Sequence, residues 1–235
     1  VIASSIVRRH PTSDLADSPG LDWRHDLRMV EFATLAPMLL DERLLDLDDP
    51  GWIYELKYDG YRMLAEFGNG TCQLKTRKGA DATKWFPEIC KGLEEVPGGP
   101  YIVDGEVCVL DEYGRSDFDA LQDRARRRRW YTGARPVAYL IFDLLVDRGA
   151  DITGRPLIKR KAALDRLLKV PLPNLLEVGY VEEGARRLFD EAVLPLKLEG
   201  LIAKRKTSIY QPGVRSSDWV KVKRKRAVPA ERFRR

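Results

Sequence analysis

Three short stretches place acids and lysines on apolar runs with the two-residue period of a strand. Alternation puts Ile53, Glu55 and Lys57 on one face of the first stretch, Asp104, Glu106 and Cys108 on one face of the second, and Trp219, Lys221 and Lys223 on one face of the third. Lys221 and Lys223 are then about 7 Å apart, one two-residue step. Each charged face alone reads as the wet side of a half-buried sheet. Together they suggest more, because buried charges must be paired or bind something. A pocket with several lysines and few partners suits a polyphosphate. The sharpest local feature is Lys57-Tyr58-Asp59-Gly60: a lysine ends a strand, Asp-Gly turns the chain, and Arg62 follows on the next strand. Alone, such a tetrapeptide is equally a hairpin turn after a surface lysine.

The elements that position these residues are legible. Residues 52–57 alternate, 61–67 and 71–77 flank the hairpin signal Gly68-Asn69-Gly70, and 101–110 and 137–146 are strong strands. Shorter strands are expected near 201–205 and 218–223. Phe118, Leu121 and Ala125 mark one helical face, and Leu157, Leu164 and Leu168 a second. Ala185, Leu188, Phe189, Ala192 and Val193 mark a third. Hairpins with intermittent helices predict an α+β fold rather than a doubly wound parallel sheet. Residues 1–30 read as a polar arm.

The 235 residues are 44% hydrophobic and 33% charged, enough for a real core in one domain or two. Collagen, coiled coil and bulk disorder are excluded. There is no run of about 18 apolar residues, so no membrane span is expected. No secretory leader is legible, and the cytoplasm is the expected location. Cys72, Cys90 and Cys108 are odd in number and far apart in sequence, so no disulfide framework is expected. Zinc is not expected, since His10 and His25 lie in the polar arm. The net charge is +5, with dense basic runs at Arg124–Arg129 and Lys221–Arg226. One such run reads as a solvated face; two point toward a phosphate-backbone partner.

Taken in order, the motifs resemble the nucleotidyltransferase (adenylation) domain of ATP-dependent DNA ligases, particularly the bacterial ligase D kind. The resemblance runs from Pro37-Met38-Leu39 to about Lys223. It rests on Glu55-Leu56-Lys57-Tyr58-Asp59-Gly60-Tyr61-Arg62, on Thr76-Arg77-Lys78-Gly79 leading to Phe86-Pro87-Glu88-Ile89, and on Asp104-Gly105-Glu106 with Phe118 and Leu121-Gln122. It continues through Tyr139-Leu140-Ile141-Phe142-Asp143, Glu199-Gly200-Leu201-Ile202-Ala203-Lys204 and Trp219-Val220-Lys221-Val222-Lys223.

The resemblance implies two antiparallel β-sheets flanked by helices, an ATP-grasp-like fold, with the nucleotide between them. It implies an arm at 1–30, the adenylation domain at 31–223, and a basic tail or linker at 224–235. Lys57 would attack the α-phosphate of ATP to form lysyl-AMP, then pass AMP to the 5′-phosphate of nicked DNA for sealing. A lysine at its ordinary pKa of about 10.4 is a poor nucleophile, and neighbouring cations such as Lys221, Lys223 and a metal favour the neutral amine. The same lysines would hold the α-phosphate. Phe142 would stack on adenine and Glu55 would accept from its amino group. Arg62 and Glu106 would contact the ribose, and Arg77 the ribose or the nick 5′-phosphate. Glu199 would bind Mg²⁺ or Mn²⁺. Lys204 has the wrong parity to join Glu199 on one face of a continuous strand, unless Gly200 bulges. Such ligases usually continue into an OB-fold domain. None fits in the twelve residues after Lys223, so another domain or partner is expected to supply it. A monomer acting on nicked duplex DNA in the bacterial cytosol is the leading reading. An RNA ligase or capping-type nucleotidyltransferase, and a DNA-end-binding module without turnover, are the rivals.

Overall fold

The computed structural model describes residues 30–225. Most of the expected arm and tail, with both histidines, lies outside them. The described chain runs β1 (Leu39–Asp41), β2 (Trp52–Lys57), β3 (Tyr61–Gly68), β4 (Thr71–Thr76), α1 (Pro87–Glu94), β5 (Tyr101–Cys108), α2 (Phe118–Arg126), β6 (Ala138–Asp147) and β7 (Ala150–Asp151). It continues through α3 (Leu157–Leu167), β8 (Leu175–Glu177), β9 (Tyr180–Val181), α4 (Ala185–Leu188), a π-helical turn (Phe189–Val193), β10 (Gly200–Arg205) and β11 (Arg215–Lys223). The α+β class is as expected. One sheet has the order β1-β11-β10-β2-β9 and the other β4-β3-β5-β6-β7, with β8 beside β6.

The sheets are not wholly antiparallel. β1 runs parallel to β11, and β8 parallel to β6. Strands of two or three residues carry too little alternation to be read from sequence. Pairing with β1 also explains why β11 begins at Arg215 rather than near 218. The helical period at 185–193 is legible, but only one α-turn forms before the wider π-turn.

Three apolar layers hold the fold. Met63, Ala65, Val103, Tyr139 and Ile141 face α1, α2 and α3 on the outer side of the second sheet. Ile53, Leu64, Ile102, Tyr210 and Trp219 pack between the sheets. Trp52, Tyr54, Leu201, Ala203 and Val220 cover the outer side of the first sheet. Burial of this apolar surface is the main stabilising term. Cys72 and Cys90 meet across the β4–α1 contact, with sulfurs 3.0 Å apart, and all three cysteines are free thiols.

One buried ion pair locks α3 to β6. Arg160 donates to both oxygens of Asp143 at 2.8 Å, and both side chains are fully buried. The same guanidinium donates to the carbonyls of Arg155 and Ser208. Asp143→Asn keeps the shape but removes the charge-assisted bond. Urea unfolding should report a loss of about 2 kcal/mol, and an unchanged midpoint would refute the lock.

Candidate active site

Backbone register assembles the site. β2 pairs with β10 so that Lys57 faces Gly200 and Glu55 faces Ile202. β10 pairs with β11 so that Ile202 faces Lys221, Gly200 faces Lys223 and Lys204 faces Trp219. Opposed residues share a face. Glu55, Lys57, Lys204, Trp219, Lys221 and Lys223 therefore lie on one side of this sheet. Its other side is apolar, which fixes the register, because a one-residue slip would bury the charges. The second sheet turns Arg62, Asp104, Glu106 and Phe142 toward them; Arg62 faces Glu106 and Phe142 sits at an irregularity in the β5–β6 register. A pocket between the sheets is lined by Glu55, Lys57, Tyr58, Arg62, Glu106, Phe142, Lys204 and Trp219 among others.

Two glycines make this possible. A Cβ on Gly60 would lie 2.3 Å from the Val107 carbonyl oxygen and 2.6 Å from Cys108 Sγ. Glycine follows Asp59 because the turn presses on β5. Gly200 has φ +156°, and a Cβ there would lie 2.2 Å from the Val222 carbonyl oxygen. That conformation re-aims the chain between Glu199 and the strand, so Glu199 and Lys204 both reach the site despite opposite parity.

Lys57 Nζ lies 2.6 Å from Glu199 Oε2, in a largely buried pair. The neighbouring cations have a carboxylate of their own: Lys221 pairs with Glu42 at 2.8 Å, and Lys223 lies 3.9 Å from the same carboxylate. Hydrogen bonding to Lys221 holds the exposed Glu42 carboxyl below its ordinary range. Glu55 is buried between two ammonium groups, Lys161 at 2.5 Å and Lys204 at 2.7 Å. Each Glu55 oxygen touches one ammonium group, Oε1 that of Lys161 and Oε2 that of Lys204. A carboxylate oxygen has more than one lone pair, so Glu55, which lines the pocket, can still accept from a ligand. Burial pulls the Lys204 ammonium down to about 8, against the opposing pull of Glu55. Its Nζ is 4.2 Å from the ring centres of both Phe142 and Trp219.

Arg62 is gripped by Asp104 at 3.0 and 2.6 Å, and Tyr210 donates to the same carboxylate at 2.7 Å. Its guanidinium is 5.4 Å from the Phe142 ring centre. Phe142 meets Trp219 edge-on at 6.3 Å, and its partly buried ring lines the pocket. Arg77 is exposed and is not among the lining residues, although its backbone N–H donates to the Arg62 carbonyl.

Sequence reasoning missed Lys161 and the grip of Asp104, and it left Lys204 open on a bulge at Gly200. Lys161 has a signal: it lies four residues after Leu157 and three before Leu164, on the apolar stripe of α3. A lysine on that stripe must find a buried partner.

Burial pushes the Glu106 carboxyl up to about 7, opposed by Lys57 and Arg62. Its folded value lies above the ordinary 4.5, so the folded protein binds the extra proton between those values. This stabilising contribution is full below pH 4.5 and lost as pH rises through about 7. The unfolding free energy of wild type relative to Glu106→Gln should fall across that window. A difference independent of pH would contradict the shift.

The family model for the ATP dependent DNA ligase domain matches residues 35–223. This chain belongs to that family. The ligase domain is 34% identical over 202 residues to the multifunctional non-homologous end joining DNA repair protein LigD of Mycobacterium tuberculosis, covering 84% of this chain and 25% of that protein. It is 31% identical to the SPbeta prophage-derived DNA ligase-like protein LigB of Bacillus subtilis, covering 80% of this chain and 67% of that one. The chain thus spans about a quarter of the mycobacterial relative it matches. Among solved structures, the ligase domain of Mycobacterium tuberculosis LigD superposes with a TM-score of 0.70 at 33% identity, covering 82% of this chain and 62% of that one. A mycobacterial DNA ligase D complexed with ATP and MES gives 0.70 at 32%, covering 82% and 61%. The expected fold family and its ligase D character are thereby shown.

Proposed function

We propose that this ligase domain carries out covalent adenylation with ATP and hands AMP to nicked DNA. The observation that carries the reading is the shared face: Lys57 and Glu199 at 2.6 Å, Lys221 and Lys223 on the neighbouring strand, and Phe142 with Arg62 across the pocket. The Glu55 carboxylate at the pocket wall suits the adenine amino group, a hydrogen-bond donor, and repels the oxygen that guanine carries at that position. Phe142 offers its ring to the base. Arg62, held by Asp104, and Glu106 lie where the ribose follows, and Lys221 and Lys223 serve the phosphates.

Lys57 attacks as the free amine, so its ion pair with Glu199 opens first. The Nζ–phosphorus bond forms and the bond from the α-phosphorus to pyrophosphate breaks. The amine proton is lost. In the second step the 5′-phosphate of the nick attacks, the Nζ–phosphorus bond breaks, and a DNA-adenylate forms. Attack by the 3′-hydroxyl seals the strand and releases AMP. Glu199, freed from Lys57, would offer a carboxylate oxygen to Mg²⁺ or Mn²⁺, which would supply neutralising charge to the phosphates. Among the described residues no group of three or more His, Cys, Asp or Glu side chains could hold a metal, so phosphate oxygens would serve as ligands beside Glu199. An OB-fold from another domain or chain would orient pyrophosphate and clamp the duplex. Arg77, exposed and joined by its backbone N–H to the Arg62 carbonyl, would contact the nick phosphate. We assign 31–223 to adenylation and 224–235 to a linker, acting as a monomer in the bacterial cytosol. Among the described residues no helix is long and apolar enough to cross a membrane.

The test is intact mass after incubation with ATP and Mg²⁺, with GTP in parallel, followed by a 5′-phosphorylated nick. The expected result is a gain of one AMP from ATP alone, lost again as the DNA strand gains it. An adduct from GTP alone would indicate a capping-type enzyme. No adduct from either nucleotide would leave the end-binding reading in its place.

A further inference from the structure

The arginine run at the end of α2 is not one solvated face. Arg124 is buried, donates to Glu88 at 2.8 and 3.2 Å, and lies 5.4 Å from the Phe86 ring and 5.7 Å from Tyr131. It also donates to the Arg129 carbonyl at 3.0 Å. Arg128 has φ +50°, and its N–H closes the helix on the Ala125 carbonyl. A buried guanidinium and a left-handed residue therefore fix the backbone of the loop.

That fixed loop carries cations outward. Arg127, Arg128 and Arg129 are exposed, and among the described residues none has a carboxylate partner at ion-pair distance. Glu88 is taken by Arg124, and Asp123 pairs with Arg126. Arg127 stacks over Tyr131 at 4.1 Å and Arg128 over Trp85 at 5.2 Å, while Trp130 is 56% exposed. Adjacent like charges held on aromatic faces lose little freedom on binding an anion, and arginine on such a face suits phosphate.

The location decides the partner. The start of α2 adjoins the Lys57 turn: Ser116 Oγ accepts from the Asp59 N–H at 3.0 Å, and Phe118 meets Tyr61 edge-on at 5.8 Å. The nine residues of α2 span about 13 Å, and the arginine loop follows at their far end.

We propose that Arg127, Arg128 and Arg129 form a second contact surface for the duplex phosphate backbone, flanking the nick and separate from the nucleotide pocket. The proposal rests on the ligase reading for the position of the nick.

The test is binding of a nicked duplex and a single strand of equal length by fluorescence anisotropy, between about 50 and 200 mM salt. R127Q/R128Q/R129Q should flatten the slope of log affinity against log salt by about 3 for the duplex, and each single change by about 1. Duplex affinity should fall by about 10-fold or more at the lower salt. Replacing the three by lysine should restore most of the slope. An unchanged duplex slope in the triple and single variants would overturn the surface, as would a loss confined to the single strand. The AMP adduct of wild type is measured in parallel. Its absence strikes the ligase reading, whereas an unchanged slope in a protein that adenylates strikes only the patch.

Discussion

Replacing Lys57 by Ala is expected to abolish the AMP adduct in intact-mass measurements. Removing a covalent nucleophile costs on the order of 10⁶-fold in the best-studied enzymes, because no neighbouring group takes over the bond. Lys204 is the nearest test of that statement here. Its ammonium is pulled down to about 8 by burial, which leaves more free amine near neutral pH than an ordinary lysine has. Yet it is paired with Glu55 and stacked between Phe142 and Trp219, where a base rather than a phosphate would sit. The proposed nucleophile is therefore Lys57, at the strand end beside Glu199. The Lys57→Ala change leaves the largely buried Glu199 without its ion-pair partner, so folding of the variant is checked by thermal unfolding. Nucleotide binding should persist in the variant by calorimetry. An adduct of equal yield in Lys57→Ala would sink the assignment, and peptide mapping would then show whether Lys204 carries it.

Glu55→Gln should produce the second largest effect, on stability and on nucleotide choice together. Among the described residues, Glu55 is the one carboxylate in ion-pair contact with both Lys161 and Lys204, and all three side chains are almost fully buried. Removing its charge leaves two buried ammonium groups facing each other. Breaking a buried pair in this way costs about 3–5 kcal/mol. Lys204 should titrate lower still, because Glu55 is what opposes the effect of burial on it. Adding Lys161→Met should recover part of the loss. A coupling of about 1–3 kcal/mol between the two changes would identify the cluster as one unit. The glutamine amide also presents a donor as well as an acceptor, so the preference for ATP over GTP should fall by about 10-fold or more, the worth of a charge-assisted hydrogen bond. Full stability with unchanged nucleotide preference in Glu55→Gln would refute both halves of this account.

The period of the main strands is written in the residues themselves, and with it which charged residues share a face. Alternation at 52–57 and 219–223 places Glu55 with Lys57 and Lys221 with Lys223, and the structure keeps both pairs together. The ordered motifs also point to the family, because several moderate signals in sequence order are specific where each alone is weak. Pairing across distance is a different matter and came from the packed fold. Glu199 and Lys204 share the site because Gly200 breaks strand parity, and a glycine's φ is not legible from its neighbours. Lys161 joins Glu55 from a helix far along the chain, and Asp104 holds Arg62 rather than standing free. Arg124 leaves the arginine run for the interior because Glu88 and Phe86 wait there. Local periodicity follows from backbone geometry and needs only a few residues to declare itself. The partner of a buried charge depends on which elements pack together, and that is settled only when the whole core closes.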